Sequence, residues 1–238
     1  MSQQVDCEHK GEVAFITLQR PEAGNRLTNT MAAALAAGLD ASRACRVIVL
    51  RGAGSDFCVG RDMQPPAPGS RVSPLDVMRD DAGPMLELFE AFRRARQPVV
   101  AAVQGKAWGI GTVFAGLCDV TLAAENASFR LGELERGIPP AIAMSALLDR
   151  MPRKALAHLV FSAEEIDARA ALAAGLASRV VEAARLDQAL RDFVARLLTF
   201  RQEALEAVKL YLAAAPRDDE ARAAQYGASL LSNILASR

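Results

Sequence analysis

QPVVAAVQGKAWGIGTVFAGLCDV, residues 97–120, is the stretch that decides the fold. An apolar, β-branched run over 98–104 meets the glycines Gly105, Gly109 and Gly111, which lead into a helix of small residues from about Gly109. A strand that ends in a glycine turn at a helix N-terminus lets a ligand approach the main chain. Unpaired N–H groups and the positive end of the helix dipole there favour an oxygen carrying negative charge. A packing role fits the same glycines equally well. No acid or histidine lies between Gln97 and Leu117, so the chemistry has to come from elsewhere in the chain.

The alternation of strand and helix continues on both sides. Upstream, RVIVLR (46–51) is a short apolar strand ending at GAGSDF, and EVAFITLQ (12–19) is another, with Val5–His9 as its hairpin partner across a Lys10-Gly11 turn. RPEAGN (20–25) reads as a turn, and Thr28 or Asn29 caps a helix predicted to run to about Ser42. Downstream, DVTLAAE (119–125) and SRVVE (178–182) complete the strand series, predicting a mostly parallel α/β core. MQPPAPGSRVSP (63–74), with its four prolines, is expected to be a mobile surface loop. After Leu186 the sequence reads as helical, in two Ala/Leu-rich segments separated at Pro216-Arg217-Asp218-Asp219. The expected organisation is therefore an α/β core over residues 1–186 and a helical extension over 187–238.

Composition excludes several classes of function. Apolar residues form 51% of the 238, enough for a sizeable core. Lys plus Arg and Asp plus Glu are equal at 28 each, so no field of one sign recommends a nucleic acid or an anionic membrane as partner. No apolar run approaches the ~20 residues that span a bilayer. Cys7, Cys45, Cys58 and Cys118 are far apart and form no metal-ligand spacing; they read as reduced thiols of a cytoplasmic protein, and the polar N-terminus MSQQVDCEHKGEV reads as neither secretory signal nor transit peptide. The glycine stretch lacks the Lys-Ser/Thr ending of a P-loop and the third glycine of GxGxxG, and there is no GxSxG. His9 and His158 lie far from the motifs and read as surface or packing groups.

Two further segments carry chemistry. SDFCVGRDM (55–63) is again a strand end with a tight glycine turn, so the N–H of Arg61 can converge with the first on one ligand. Two such donors make an oxyanion hole, each worth about 2.7–4 kcal/mol to a transition state that develops charge on oxygen. FRLGELERGIPP (129–140) carries Glu133 and Glu135; at most one of them should face a pocket, and Arg130 and Arg136 are available to pair with the other.

In order, GNRLTNTM, FCVGRDM, VQGKAWGIGTVFAGLCDVTLAAENASFRLGELERGIPP and ARAALAAGLASRVV resemble the crotonase superfamily of enoyl-CoA hydratases and isomerases, from about Val13 to Val181 and more loosely beyond. The resemblance implies a spiral of ββα turns with a C-terminal helical trimerisation region, hence a homotrimer or a hexamer of paired trimers. It also implies an acyl-CoA thioester as substrate and no separate cofactor or metal. It gives the N–H groups of Arg61 and Ile110 the oxyanion places and Glu133 the role of acid/base. Asn25, Arg26 and Leu27 match the stretch lining the CoA site, Val59, Asp62 and Met63 the acyl and pantetheine path, and Lys209 a lysine that reaches CoA phosphate. Trp108 matches a large apolar position that lines the acyl pocket or joins the core; Gly109 and Gly132 flank the site.

The resemblance also shows departures. Family hydratases use two glutamates, and the first falls here on Val113. A lone carboxylate suits proton transfer between C2 and C4 of a 3-enoyl-CoA, so double-bond isomerisation is expected ahead of hydration. A non-catalytic acyl-CoA binder is the third reading. Arg61 stands where a small residue is usual, Ile110 where glycine is, and Gly132 where proline or asparagine is.

Overall fold

The computed structural model describes residues 4–63 and 73–214, together with 227 and 231. In chain order its elements are β1 (Val5–Lys10), β2 (Val13–Leu18), α1 (Asn29–Ala41), β3 (Val47–Gly52), α2 (Pro74–Asp76), a π-helical turn (Val77–Ala82), α3 (Gly83–Arg94), β4 (Val99–Val103), β5 (Lys106–Trp108), α4 (Ile110–Leu117), β6 (Val120–Ala124), β7 (Ser128–Arg130), a 3-10 turn (Glu133–Arg136), α5 (Ala141–Leu147), α6 (Arg153–Ser162), β8 (Ile166–Asp167), α7 (Ala168–Ala173), β9 (Arg179–Val181), α8 (Leu186–Leu198) and α9 (Gln202–Ala214).

Six strands form one sheet in the order β1-β2-β3-β4-β6-β9; β1 pairs antiparallel with β2, and every later pairing is parallel. The expected hairpin and strand series are all present. Their side chains alternate between two cores, as a period of two requires. Ile16, Ile48, Leu50, Val99 and Ala101 face one side, where α1, α3 and α4 pack, while Val47, Val49, Val100 and Leu122 face the other. That second face is covered by α8 through Leu186, Leu190 and Val194, spaced one helical turn apart. The helical segment expected after Leu186 thus begins with an element that completes the core.

A smaller sheet, β5-β7-β8, lies beside the carboxyl ends of β3 and β4. Its strands have two or three residues each, less than the period needed to show in a sequence.

Two expectations change. Helix α8 stops at Leu198 and α9 starts at Gln202, a break the sequence reading ran through. The Thr199 hydroxyl donates to the Arg196 carbonyl at 2.8 Å, and the Thr199 and Phe200 N–H groups donate to the carbonyls three residues back, tightening the last turn. The predicted break at Pro216 lies outside the described residues. Of the Pro-rich stretch 63–74, only Met63, Ser73 and Pro74 are described. Ser73 and Pro74 start α2, where Ser73 and Asp76 cap each other reciprocally and Pro74 sits where a helix has no use for its missing N–H.

Candidate active site

The two glycine loops follow β3 and β4 and meet beside the small sheet. Asn25 fastens the first of them. It takes φ +56°, a left-handed conformation that asparagine tolerates. Its Nδ2 donates to the carbonyls of Ala53 and Asp56, both at 2.8 Å, and its Oδ1 accepts from the Arg20 N–H at 2.8 Å. With the loop held, Leu27 bridges Arg61: the Leu27 N–H donates to the Gly60 carbonyl and the Asp62 N–H to the Leu27 carbonyl, each at 2.9 Å. In such a bridge the residue between the two bonds turns its own N–H to the opposite side. The Arg61 N–H therefore points away from Leu27.

On that opposite side Cys58 bridges Ala107, with Cys58 N–H to Lys106 carbonyl at 3.0 Å and Trp108 N–H to Cys58 carbonyl at 2.9 Å. Helix α4 begins immediately after. Gly109 is its N-cap at φ +52°, ψ −116°, a conformation reserved for glycine, and it offers no side chain to cap the first turn. Ile110 is the first helical residue and avoids positive φ, which the glycine one position earlier takes instead. Its N–H has no acceptor within the helix, as the first turn of any helix requires. Thr112 anchors this turn: its Oγ1 donates toward the Ala107 carbonyl at 2.6 Å and the Arg130 carbonyl at 3.0 Å, and accepts from the Arg130 N–H at 3.1 Å. Gly111 lets the helix approach, because a Cβ there would stand 2.1 Å from the Cys58 carbonyl oxygen.

Glu133 opens the 3-10 turn after β7. A Cβ on Gly109 would stand 3.3 Å from Glu133 Oε1 and 3.5 Å from the Gly60 Cα, so both loops and this carboxylate crowd one spot. Glu133 Oε2 is buried without a hydrogen-bond partner. Three other carboxylates line the same cleft, and each stands beside an arginine: Asp62 with Arg20 at 2.5 Å, Glu135 with Arg130 at 2.5 Å, and Asp81 with Arg61 at 4.0 Å. Glu135 takes Arg130, one of the two arginines expected to pair with the second acid, but it too lines the cleft, where at most one of the pair was expected. Gly132 has φ −100°, so no left-handed conformation calls for glycine there; the Arg130 guanidinium packs over it.

The cleft encloses about 570 Å³. Arg26, Val59, Arg61, Asp62, Met63, Trp108, Gly109, Ile110, Val113, Gly132 and Glu133, all expected at the site, line it. Met85, Phe89 and Ile142 supply apolar wall that the sequence reading did not single out, and Val113 is fully buried within it. Trp108 lies half-buried, its Nε1 donating to Ser128 Oγ at 3.2 Å.

Three expected residues stand elsewhere. The Asn25 side chain is consumed in fastening the loop after β3, and Leu27 is a core residue whose main chain, not side chain, serves the site. Lys209 does not reach the cleft. Its side chain is 11% exposed, and the ammonium pairs with Asp119 at 2.8 Å and donates to the Gln97 carbonyl at 2.9 Å. Among the described residues no cluster of three or more His, Cys, Asp or Glu is placed to hold a metal ion, and no helix is long and apolar enough to cross a membrane.

A family model described as enoyl-CoA hydratase/isomerase matches residues 8–238. The chain belongs to the enoyl-CoA hydratase/isomerase family. A probable enoyl-CoA hydratase of Rhizobium meliloti is 37% identical over 75% of this chain and 69% of its own length. The (E)-benzylidenesuccinyl-CoA hydratase of Thauera aromatica is 32% identical over 86% and 80%. Among solved structures, a putative enoyl-CoA hydratase from Thermobifida fusca YX in complex with acetoacetyl-CoA superposes with TM-score 0.87 at 30% identity, over 99% of this chain and 96% of that one. An enoyl-CoA hydratase from Mycobacterium smegmatis reaches TM-score 0.91 at 24% identity over 98% and 91%, which extends the likeness of fold. The α/β fold expected from the crotonase resemblance is thus the one this family has, and the chain is an enzyme of the hydratase/isomerase family.

Proposed function

We propose that the cleft binds an acyl-CoA thioester and that Glu133 moves a proton at the carbon next to the thioester. One observation carries this reading: among the described carboxylates of the cleft Glu133 alone has a buried oxygen without a hydrogen-bond partner, beside the two loops whose 61 and 110 N–H groups have no strand or helix partner. The thioester oxygen sits between those two N–H groups. Glu133 takes a proton from C2 of a 3-enoyl-CoA, the C–H electrons move into a dienolate held by the two donors, and Glu133 returns the proton at C4. The double bond then lies between C2 and C3, and no water is consumed. Preorganised donors worth about 2.7–4 kcal/mol each make the weakly acidic C–H accessible. Arg26, at the exposed rim of the cleft, meets the polar CoA portion.

The second reading is hydration of a 2-enoyl-CoA, favoured by the names of the relatives, which are hydratases. Against it stands Val113, an apolar side chain where a second carboxylate would hold the water. Glu133→Gln, which keeps shape and removes the base, should lower isomerisation of a 3-enoyl-CoA by about 10²–10⁴-fold with acyl-CoA affinity little changed. Retention of most of the activity would remove Glu133 from the mechanism. Loss of conjugated-thioester absorbance from trans-2-enoyl-CoA would favour hydration. Absence of deuterium at C2 in heavy water, with binding intact, would leave a binding protein only. We also propose a homotrimer or a pair of trimers; Val208, Leu210 and Leu212 of α9, each more than half exposed, are apolar surface for such an assembly to cover.

A further inference from the structure

The Arg61 side chain does something its main chain does not. While its N–H turns toward the cleft, its guanidinium reaches sideways to two elements at once: Nη1 donates to the Asp81 carbonyl at 3.1 Å and Nη2 to Asn29 Oδ1 at 2.8 Å. Asn29, the first residue of α1, in turn donates from Nδ2 to the Asp80 carbonyl at 2.9 Å.

Those two carbonyls belong to the π-helical turn 77–82, and the sequence explains why that of Asp80 is available. Pro84 has no N–H to give to the carbonyl of Asp80, four residues back, and its ring would collide with that carbonyl in a regular helix. The helix widens instead, Gly83 N–H reaching back five residues to the Met78 carbonyl. Asn29 takes up the carbonyl that the proline leaves, and Arg61 holds the next one along.

Val77, Asp81 and Ala82 of this turn, with Met85 just after it, form one wall of the cleft. The Arg61 side chain that pins the wall is 18% exposed, its Nε is buried without a partner, and burial holds its pKa below the ordinary arginine value. Stability alone would be better served by an apolar side chain than by a buried cation with one unpaired donor.

We propose that Arg61, through Asn29 and the carbonyls of Asp80 and Asp81, fixes the wall of the acyl pocket and so selects short acyl groups over long ones. The proposal rests on the reading above only in taking the occupant to be the acyl chain of a thioester. A short chain fits against the pinned wall. A long one must push the turn away and break the hydrogen bonds that hold it. Arg61 is in this respect a positioning residue: the same residue that offers an N–H to the thioester oxygen sets the pocket beside it.

Calorimetric titration with CoA, butanoyl-CoA and dodecanoyl-CoA tests this without requiring turnover. The wild type should favour butanoyl-CoA. In Arg61→Ala the ratio of dodecanoyl-CoA to butanoyl-CoA affinity should rise about tenfold or more, equivalent to ~1.4 kcal/mol. Asn29→Ala should move the ratio the same way, Arg61→Lys should restore part of the selectivity, and the affinity for CoA alone should stay constant. A ratio within twofold of wild type in folded Arg61→Ala and Asn29→Ala overturns the proposal, as does an equal change in CoA affinity. Should Arg61→Ala fail to fold, Asn29→Ala carries the test. A wild type that selects by length but exchanges no C2 proton overturns the enolate reading alone; one that binds no acyl-CoA overturns both.

Discussion

Gly111 and Asn25 show how differently single residues of this site announce themselves. Gly111 was legible: a glycine in the first turn of an apolar helix calls for close approach, and the Cys58 carbonyl is what approaches. Adding one methyl there forces α4 away from the 58–61 segment, separating the N–H of Ile110 from that of Arg61. Gly111→Ala should cost about 1–3 kcal/mol of stability. It should also lower turnover about 10²-fold, the usual effect of a displacement near 1 Å at reacting groups. Melting temperature and kcat, measured together, check this; a kcat within a fewfold of wild type would mean that the two donors do not act jointly. Asn25 was placed at the site for the wrong reason, as a CoA contact, because a sequence does not show which distant carbonyls an amide will meet. Thr112, Asn29 and Asp81 were missed for the same cause: the first two donate to main-chain carbonyls, and the third offers its own carbonyl to Arg61, across distances that only the folded chain closes.

At the scale of elements, the large sheet was legible because its central strands are buried on both faces and read as unbroken apolar runs. The small sheet and the π turn were not. Strands of two or three residues carry no periodicity, and the turn follows from Pro84 acting against a carbonyl four residues away. Helix α9 is the instructive case. None of its described residues is buried, so little apolar contact docks it, and the Lys209–Asp119 pair, with side chains 11% and 14% exposed, is its anchor. Asp119 also accepts from the Val99 N–H at 2.8 Å, tying the pair to β4. Lys209→Ala leaves the carboxylate short of its cation and should cost about 1–3 kcal/mol. Amide exchange in α9 should quicken while CoA affinity holds. Adding Asp119→Asn to Lys209→Met should recover part of the loss, since an uncompensated buried charge costs more than an absent pair. Weakened CoA binding with α9 exchange unchanged would restore the lysine to the substrate.

For the whole molecule the two cores share one sheet, and this couples the cleft to the C-terminal helices. Val49 of β3 packs in the same cluster as Val194 of α8, while its neighbours Ile48 and Leu50 pack with α1, α3 and the cleft side. Neither face can lose its helices without exposing the strands that carry the other. The buried thiols sample this unit at separate places: Cys45 before β3, Cys58 in the cleft loop, and Cys118 between α4 and β6. Burial pushes the Cys58 thiol up to about 12 and that of Cys118 higher still, so neither supplies the thiolate that reacts with an alkylating agent at neutral pH. Cys7 is exposed, and its thiol is raised less far. Iodoacetamide at neutral pH should therefore label the native chain at Cys7 alone, and slowly. In increasing urea the other three should become reactive at one midpoint, coincident with the loss of helical circular dichroism. Labelling of Cys58 well below that midpoint would show the cleft loop opening as a unit of its own, and Asn25, holding the carbonyls of Ala53 and Asp56, is then the fastening that gives way first.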